Sequence, residues 1–149
     1  MQQPMPPAPP PMPTVTGYAG FWRRVLAALV DGLIIGVVTA PITLSTMGNY
    51  AEPGNQAAGS PFYPIVTVAQ WLYFALMESS SKQATLGKMA LGIKVTDLNG
   101  NRIGFGKATG RYFAKILSAL ILGIGFLMAA FTAKKQALHD MLAGTLVVK

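Results

Sequence analysis

Three long apolar stretches separated by polar residues organise this chain. The first covers residues 25–46 and directly follows the pair Arg23 and Arg24. A helix rises by about 1.5 Å per residue, so a stretch of this length can cross a hydrocarbon core about 30 Å thick. Pro41 should kink the far end of this helix or stop it early, because proline removes a backbone donor. The first stretch therefore predicts a membrane-spanning helix.

The other two apolar stretches are less regular. Residues 62–77 form a second stretch at the short end of the spanning range, and residues 112–131 form a third. Gly123 and Gly125 interrupt the middle of the third stretch. Together the three stretches predict an all-α integral membrane helical bundle with two or three membrane-embedded segments.

Basic residues predict how these segments are oriented. Arg23 and Arg24 place the N-terminus in the cytoplasm, because cytoplasmic flanks of membrane helices carry the excess of lysine and arginine. The first loop, residues 47–61, has no basic residue and belongs outside, whereas residues 78–111 carry six and belong inside. These six are Lys82, Lys88, Lys94, Arg102, Lys107 and Arg111. The same rule places the Lys134–Lys135 pair inside only if the third segment returns as a hairpin, and a single third span is the alternative.

The basic segment also predicts small elements of its own. Residues 84–91 suit a short interfacial helix with Leu86, Met89 and Ala90 towards lipid. Residues 93–96 and 102–105 flank the pair Asn99-Gly100, a strong type I′ turn signal, so a cytoplasmic β-hairpin is expected there. Residues 145–148 also look like a strand. The bundle should therefore carry a small cytoplasmic β element.

Composition supports the membrane class and narrows the chemistry. Only 11% of the 149 residues are charged, against about 25% in typical soluble domains. The net charge of +7 fits cytoplasmic loops that face anionic lipid, so we expect the lipid bilayer of the plasma membrane as partner and no nucleic acid. The chain has no cysteine and one histidine, His139, so we expect neither metal nor cofactor. No nucleophile accompanies the neighbours His139 and Asp140, so no enzyme is expected, and a capping or salt-bridge role is favoured.

The first 16 residues differ from the rest of the chain. They carry seven of the eleven prolines and no charged side chain. Such a segment is expected to be disordered or polyproline II, and a protein partner that binds proline-rich peptides is the functional alternative. We therefore divide the chain into a tail, residues 1–16, and a transmembrane domain, residues 17–149.

Asp31 is the most informative single residue, because a carboxylate inside an apolar span is costly and marks a functional-site hypothesis. In one interpretation it carries a proton or a cation. In the other it is a structural acid that pairs with Arg24, Lys115 or Arg111 and holds helices in register. Arg24 precedes it by nearly two helical turns and so shares its face.

Small residues recur every four positions beside Asp31, with Gly32 and Gly36 at the centre of the run. A stripe of this kind lets helices approach closely. It predicts helix packing within one chain or between copies, and chance glycines in an apolar run are the competing explanation.

Three blocks of this sequence resemble the RDD family of bacterial and archaeal membrane proteins, named for an arginine and two aspartates. The opening block is FWRRVLAALVDG, from Phe21. The middle block holds TLGK, LGIKV and DLNG, and the closing block is QALHDMLAGT, from Gln136. The resemblance implies that Arg24, Asp31 and Asp140 are the namesake residues, although Arg23 beside Arg24 leaves a second candidate. It also implies transport, including sodium–proton exchange, as a suggested activity.

The sequence thus predicts a membrane protein with two competing functions. The first is a self-assembling homo-oligomer that moves small ions or solutes, with Asp31 as the titrating group. The second is a non-catalytic membrane scaffold or accessory subunit, whose basic loop and proline-rich tail recruit lipid or protein partners.

Overall fold

The computed structural model describes residues 17–50, 62–121 and 123–149, with backbone alone for residues 46–50 and 62. The tail 1–16 and most of the predicted first loop lie outside the described residues. The described elements, in chain order, are α1 (Phe21–Tyr50), α2 (Phe62–Ser79), α3 (Leu86–Ala90), β1 (Lys94–Asp97), α4 (Phe105–Leu120), α5 (Ile124–Phe131), α6 (Leu138–Ala143) and β2 (Thr145–Val148). A mostly helical chain with one small sheet confirms the predicted fold class in outline.

Helix α1 has the surface of a lipid-facing helix. Its portion Phe21–Ser45 is long and apolar enough to cross a membrane, and only 11% of its most apolar stretch is buried. Leu33 and Val37 stay largely exposed along it. The core helix of a soluble protein would bury such side chains, because exposed apolar surface in water is unfavourable. The exposure therefore agrees with the predicted membrane span.

Pro41 does not stop α1, so the prediction of an early stop was wrong. The helix continues to Tyr50 with Pro41 inside it. The hydroxyl of Thr39 donates to the carbonyl of Ile35 at 2.8 Å, and that of Thr43 donates to the carbonyl of Thr39 at 3.0 Å. Local side-chain bonds of this kind help membrane helices tolerate proline.

Fewer segments qualify as membrane spans than the three apolar stretches suggested. In residues 17–50, 62–121 and 123–149, α1 alone is long and apolar enough to cross by itself, and the α4–α5 pair adds a second only if it counts as one bent span. Helix α2 contains Gln70 and Glu78, which lower its apolarity. Crossing by α2 therefore stays a prediction.

Helices α4 and α5 do not form one straight rod, because they meet at an angle of 102°. Gly123, with a φ of 73°, adopts the left-handed conformation just before α5, where a glycine has no steric penalty. Ser118 faces Gly125 so closely that a Cβ on the glycine would lie 2.8 Å from the serine Cβ. The predicted interruption at the two glycines is confirmed as a sharp turn in the chain.

The sheet shows where the chain goes after this turn. Strand β1 precedes α4 and β2 follows α5, yet the two pair antiparallel, with Lys94 opposite Val148. The flank before α1 joins them, since the amide of Ala19 donates to the carbonyl of Val147 at 2.8 Å. Both ends of the α4–α5 pair therefore lie in one layer with the start of α1. This arrangement agrees with a returning third segment.

The predicted β-hairpin is present only in part, because β1 pairs mainly with the predicted C-terminal strand. Residues 102–105 contribute a single bridge, Thr96 with Arg102, before α4 begins at Phe105. A side chain also stabilises the turn, since an oxygen of Asp97 accepts from the amides of Asn99 and Asn101, both at 2.8 Å. Asn99 does not adopt a positive φ, which a type I′ turn requires. A backbone turn is still present, one residue earlier, because the amide of Gly100 donates to the carbonyl of Asp97 at 3.2 Å.

Small and branched residues fill the core where the helices meet the sheet. It contains Ala27 of α1 and Ala75 of α2 beside Val95 and Val147 of the paired strands. Alanine at the helix positions lets the backbones approach closely. The packed core thus lies at the end of the molecule that carries the sheet and the start of α1.

Candidate functional site

Asp31 anchors α3 to α1. Its side chain is buried, at 3% exposure, and accepts three hydrogen bonds. One oxygen accepts from the hydroxyl of Tyr73 at 3.1 Å and from the amide of Gly87 at 2.8 Å. The other accepts from the hydroxyl of Thr85 at 2.5 Å. These donors come from α2 and from the start of α3, so one carboxylate ties three segments together.

Gly87 makes this anchor sterically feasible. A Cβ at this position would overlap the carbonyl oxygen of Ala27 and would lie 2.9 Å from the Asp31 side chain. The amide of the preceding residue, Leu86, donates to the hydroxyl of Tyr73 at 3.1 Å. The tyrosine hydroxyl therefore accepts from α3 while it donates to Asp31. The start of α3 fits against α1 because it carries no side chain at the point of contact.

Asp31 does not form the predicted ion pair with Arg24, Arg111 or Lys115, and its role stays a prediction. The ion pairs of Arg24, Arg111 and Lys115 go to Asp140 and Glu78. The carboxylate is stabilised by neutral hydroxyl and amide donors instead, and hydrogen bonds to an ionised acceptor are stronger than bonds between neutral groups. Such an environment fits a fixed anchor better than a mobile carrier.

Asp140 lies at the centre of a second buried site. It is fully buried and forms ion pairs with Arg24 and Arg111, the latter with a nitrogen–oxygen distance of 2.7 Å. The amide of Ala137 donates to the same carboxylate at 3.2 Å, which caps the start of α6. Burial raises the pKa of Asp140, but Arg111 and Arg24 lower it further, to well below its usual range. Asp140 is therefore ionised, and the predicted capping or salt-bridge role is supported by both contacts.

Arg24, and not Arg23, makes this contact. Arg23 is exposed, whereas Arg24 is mostly buried and its Nε also donates to the carbonyl of Ala19 at 3.1 Å. Arg24 thus fixes the turn that leads into α1 and joins it to α6. Of the two arginines, the geometry places Arg24 in the site.

Glu78 extends this site into a larger ionic cluster. It is buried at the end of α2 and forms ion pairs with Lys88, with Arg111 at 3.1 Å and with Lys115 at 3.3 Å. Arg111 bridges the two acids, because one end of its guanidinium reaches Glu78 and the other reaches Asp140. Helices α1, α2, α3, α4 and α6 all contribute to this cluster.

Sequence reasoning missed Glu78 and Lys88 as site residues. Both had been assigned to the basic segment after the second apolar stretch. One signal could have identified Glu78: the chain has only five acidic residues, and three of them, Asp31, Glu78 and Asp140, are buried. In a chain with few acids and excess base, each acid near an apolar segment is a candidate partner for several cations.

His139 lies beside the cluster in its neutral form. Burial lowers the pKa of His139 to about 3, mainly because the charged ring would lose its water. One ring nitrogen lies 3.4 Å from the hydroxyl of Ser118, and the ring packs against Phe126 with centroids 5.1 Å apart. Within residues 17–50, 62–121 and 123–149, no group of acids and histidine is arranged to hold a metal ion.

Gly32 and Gly36 do not pack against another part of the described chain. A Cβ at either position would meet open space. Gly32 lines a cavity of about 510 Å³, whose walls include parts of α1 and α5 and whose floor is formed by cations of the ionic cluster. Packing of these glycines between copies of the chain stays a prediction.

The hydrogen bonds of Asp31 and the ion pair between Arg24 and Asp140 join the three sequence blocks. Arg24 and Asp31 of the opening block lie on one helix. Arg24 contacts Asp140 of the closing block, and Asp31 contacts Thr85 and Gly87 of the middle block. The opening block thus contacts the other two through Arg24 and Asp31, which the resemblance implies to be two of the namesake residues.

Comparison with known proteins agrees with this interpretation of the blocks. The sequence profile of the RDD family matches residues 18–144. The chain is 39% identical to the uncharacterized protein YxaI of Bacillus subtilis over 146 residues, covering 87% of this chain and 96% of YxaI. It is 33% identical to the uncharacterized membrane protein YteJ of the same organism, covering 88% of this chain and 80% of YteJ.

A mycobacterial relative shares the same region. The chain is 30% identical to the proline-rich antigen homolog of Mycobacterium tuberculosis over 158 residues, covering 92% of this chain and 65% of that protein. No solved structure matches the chain. The family profile, the relatives and the exposed apolar helix together identify a membrane protein, and the chain belongs to the RDD family.

Proposed function

We propose that the protein is a self-assembling membrane transporter of small ions, in which the ionic cluster, and not Asp31, holds the groups that exchange charge. The observation that supports this proposal most is the burial of Glu78, Lys88, Arg111 and Asp140 in one connected set of ion pairs. Ionisable groups buried in a membrane protein commonly mark ion pathways and proton relays, because burying charge is otherwise costly.

Lys88 is the best candidate for proton exchange within the cluster. Burial lowers the pKa of Lys88 to about 7, although the carboxylate of Glu78 favours its charged form. Lys115, which pairs with the same oxygen of Glu78, and Arg111 also contribute to this low pKa of Lys88. An amine with this pKa gains and loses its proton near neutral pH, which a proton-coupled carrier requires.

Self-assembly is supported by the small number of helices. Transporters usually pair repeated helical units around a central site, and one copy of this chain offers too few helices to do so. The open space beside Gly36 on exposed α1 leaves room for a helix of a second copy. We therefore propose that copies meet along α1.

Ion flux in proteoliposomes tests the transporter proposal. Wild-type protein should move sodium or potassium in exchange for protons when a proton gradient is applied. Lys88→Gln should abolish this flux. Its fold should persist, because Glu78 keeps its ion pairs with Arg111 and Lys115. Lys82→Gln, the same change at an exposed lysine nearby, should leave flux intact. Asp31→Asn should also keep flux, since an amide oxygen still accepts from Gly87.

The second candidate function is the non-catalytic scaffold. It is favoured by the set of three hydrogen bonds on Asp31, which commits both oxygens of this acid to the helix anchor. Folded wild-type protein that moves none of these ions would contradict the transporter and leave the scaffold. Loss of flux in Asp31→Asn but not in Lys88→Gln would return the carrier role to Asp31.

A further inference from the structure

The cavity between α1 and α5 has an electrostatic imbalance at its floor. Arg24, Arg111 and Lys115 carry positive charge there, and Lys88 adds a fourth positive charge when it is protonated. Their carboxylate partners are Glu78 and Asp140, so the excess is two positive charges with Lys88 protonated and one with Lys88 neutral. Asp31 also lines the cavity, and counting it leaves an excess of one when Lys88 is protonated. A buried excess of this kind favours a negatively charged occupant.

One donor at this floor is unused. The Nη2 atom of Arg24 is buried and has no hydrogen-bond partner among the described residues. Its neighbour Nη1 is engaged by Asp140 and its Nε by Ala19. A buried donor left without a partner is unfavourable, because it has lost its bonds to water. An anion beside Arg24 would supply the missing acceptor.

The walls of the same cavity are apolar. Ala28, Gly32 and Ile35 line it on the α1 side, and Phe126 and Leu127 line it on the α5 side. The volume of about 510 Å³ is in the ordinary range for ligand sites. Because Gly32 has no side chain, the wall of α1 is open where a hydrocarbon chain would lie. The cavity therefore combines an apolar wall with a cationic floor.

We propose that this cavity binds one anionic phospholipid of the bilayer, with its phosphate at Arg24 and Lys115 and an acyl chain between α1 and α5. A small free anion would use the floor but not the apolar walls. A zwitterionic lipid would use the walls but gain less from the uncompensated positive charge. Basic pockets beside membrane helices on the cytoplasmic side commonly bind acidic headgroups. The inference goes beyond the proposed transport and does not require it.

Native mass spectrometry tests the site directly. The protein is reconstituted in phosphatidylcholine nanodiscs that contain a minor fraction of phosphatidylglycerol, and the lipids retained on each chain are counted. Phosphatidylglycerol should be retained about tenfold above its share of the lipid mixture. Added inorganic phosphate should not displace it. Retention of the two lipids in proportion to their shares of the mixture, or displacement of phosphatidylglycerol by phosphate, would overturn the proposal.

Two leucine substitutions on α1 locate the bound chain. Gly32→Leu should fill the cavity and abolish retention of phosphatidylglycerol, while Gly36→Leu, one turn along and outside the cavity lining, should preserve it. Both positions face open space, so both variants should fold. Loss in both variants would place the lipid between copies of the chain, and loss in neither would place it elsewhere. Either result contradicts a lipid in this cavity.

A charge variant tests the floor of the cavity. Lys115→Gln should lower the preference for phosphatidylglycerol over phosphatidylcholine without reducing total lipid retained. Glu78 keeps its pairs with Lys88 and Arg111 in this variant. An unchanged preference would contradict the placement of the headgroup. Because lipid retention is counted without any ion gradient, failure of this site and failure of ion flux are separate outcomes.

Discussion

Gly87→Ala is expected to lower the free energy of unfolding by about 3 kcal/mol. The new methyl group would overlap the carbonyl oxygen of Ala27. A backbone atom cannot rotate away, so α3 must move off α1. That movement breaks the hydrogen bond from the Gly87 amide to Asp31 and weakens the bond from Thr85. Unfolding in mixed detergent micelles, followed by circular dichroism, measures the change.

Gly106→Ala is the matched control. Gly106 lies in the first turn of α4, where a Cβ meets nothing within 4 Å. Alanine loses less conformational freedom than glycine in a helix, so this variant should be as stable as wild type or more stable by up to about 1 kcal/mol. If Gly87→Ala unfolds no more easily than Gly106→Ala, α3 does not pack against α1 as described.

The helices were predictable because membrane burial leaves a simple signal. The apolar stretch before Pro41 and the glycine pair Gly123 and Gly125 predicted α1 and the break before α5, and both are present. Such features depend on local composition and on the conformations that glycine allows. Of the two effects predicted for Pro41, the early stop was wrong, because a membrane helix tolerates proline better than a water-exposed one, and the kink stays a prediction.

The sheet was harder to predict because its pairing is not local. Asn99-Gly100 favours a hairpin between neighbouring strands, but β1 pairs with β2, which lies beyond α4, α5 and α6. Turn chemistry reports only on adjacent residues, whereas this pairing depends on the returning path of α4 and α5. The resemblance assigned the namesake arginine and aspartates to the opening and closing blocks without giving their contacts. Their contacts with Gly87 and Arg111 required the fold.

Asp140→Asn is expected to destabilise the protein by about 3–5 kcal/mol, because it removes one partner of a buried ion pair and leaves the other uncompensated. Arg111 would keep its contact with Glu78, but Arg24 would lose its only ion pair among the described residues. The oxygen of the new asparagine side chain can still accept one bond, so capping at Ala137 should survive in part. Unfolding in mixed detergent micelles measures the loss.

Asp97→Asn is the matched control, because it makes the same change from acid to amide without removing a buried charge. Asp97 is partly exposed and accepts from two backbone amides, a task that an asparagine oxygen also performs. This control should unfold within about 1 kcal/mol of wild type, because exposed charges contribute little. Equal stability of the two variants would mean that Asp140 does not neutralise Arg24 and Arg111. A large loss at Asp140 alone would show that this carboxylate strengthens the contact between the two ends of the domain, which the hydrogen bond from Ala19 to Val147 also joins.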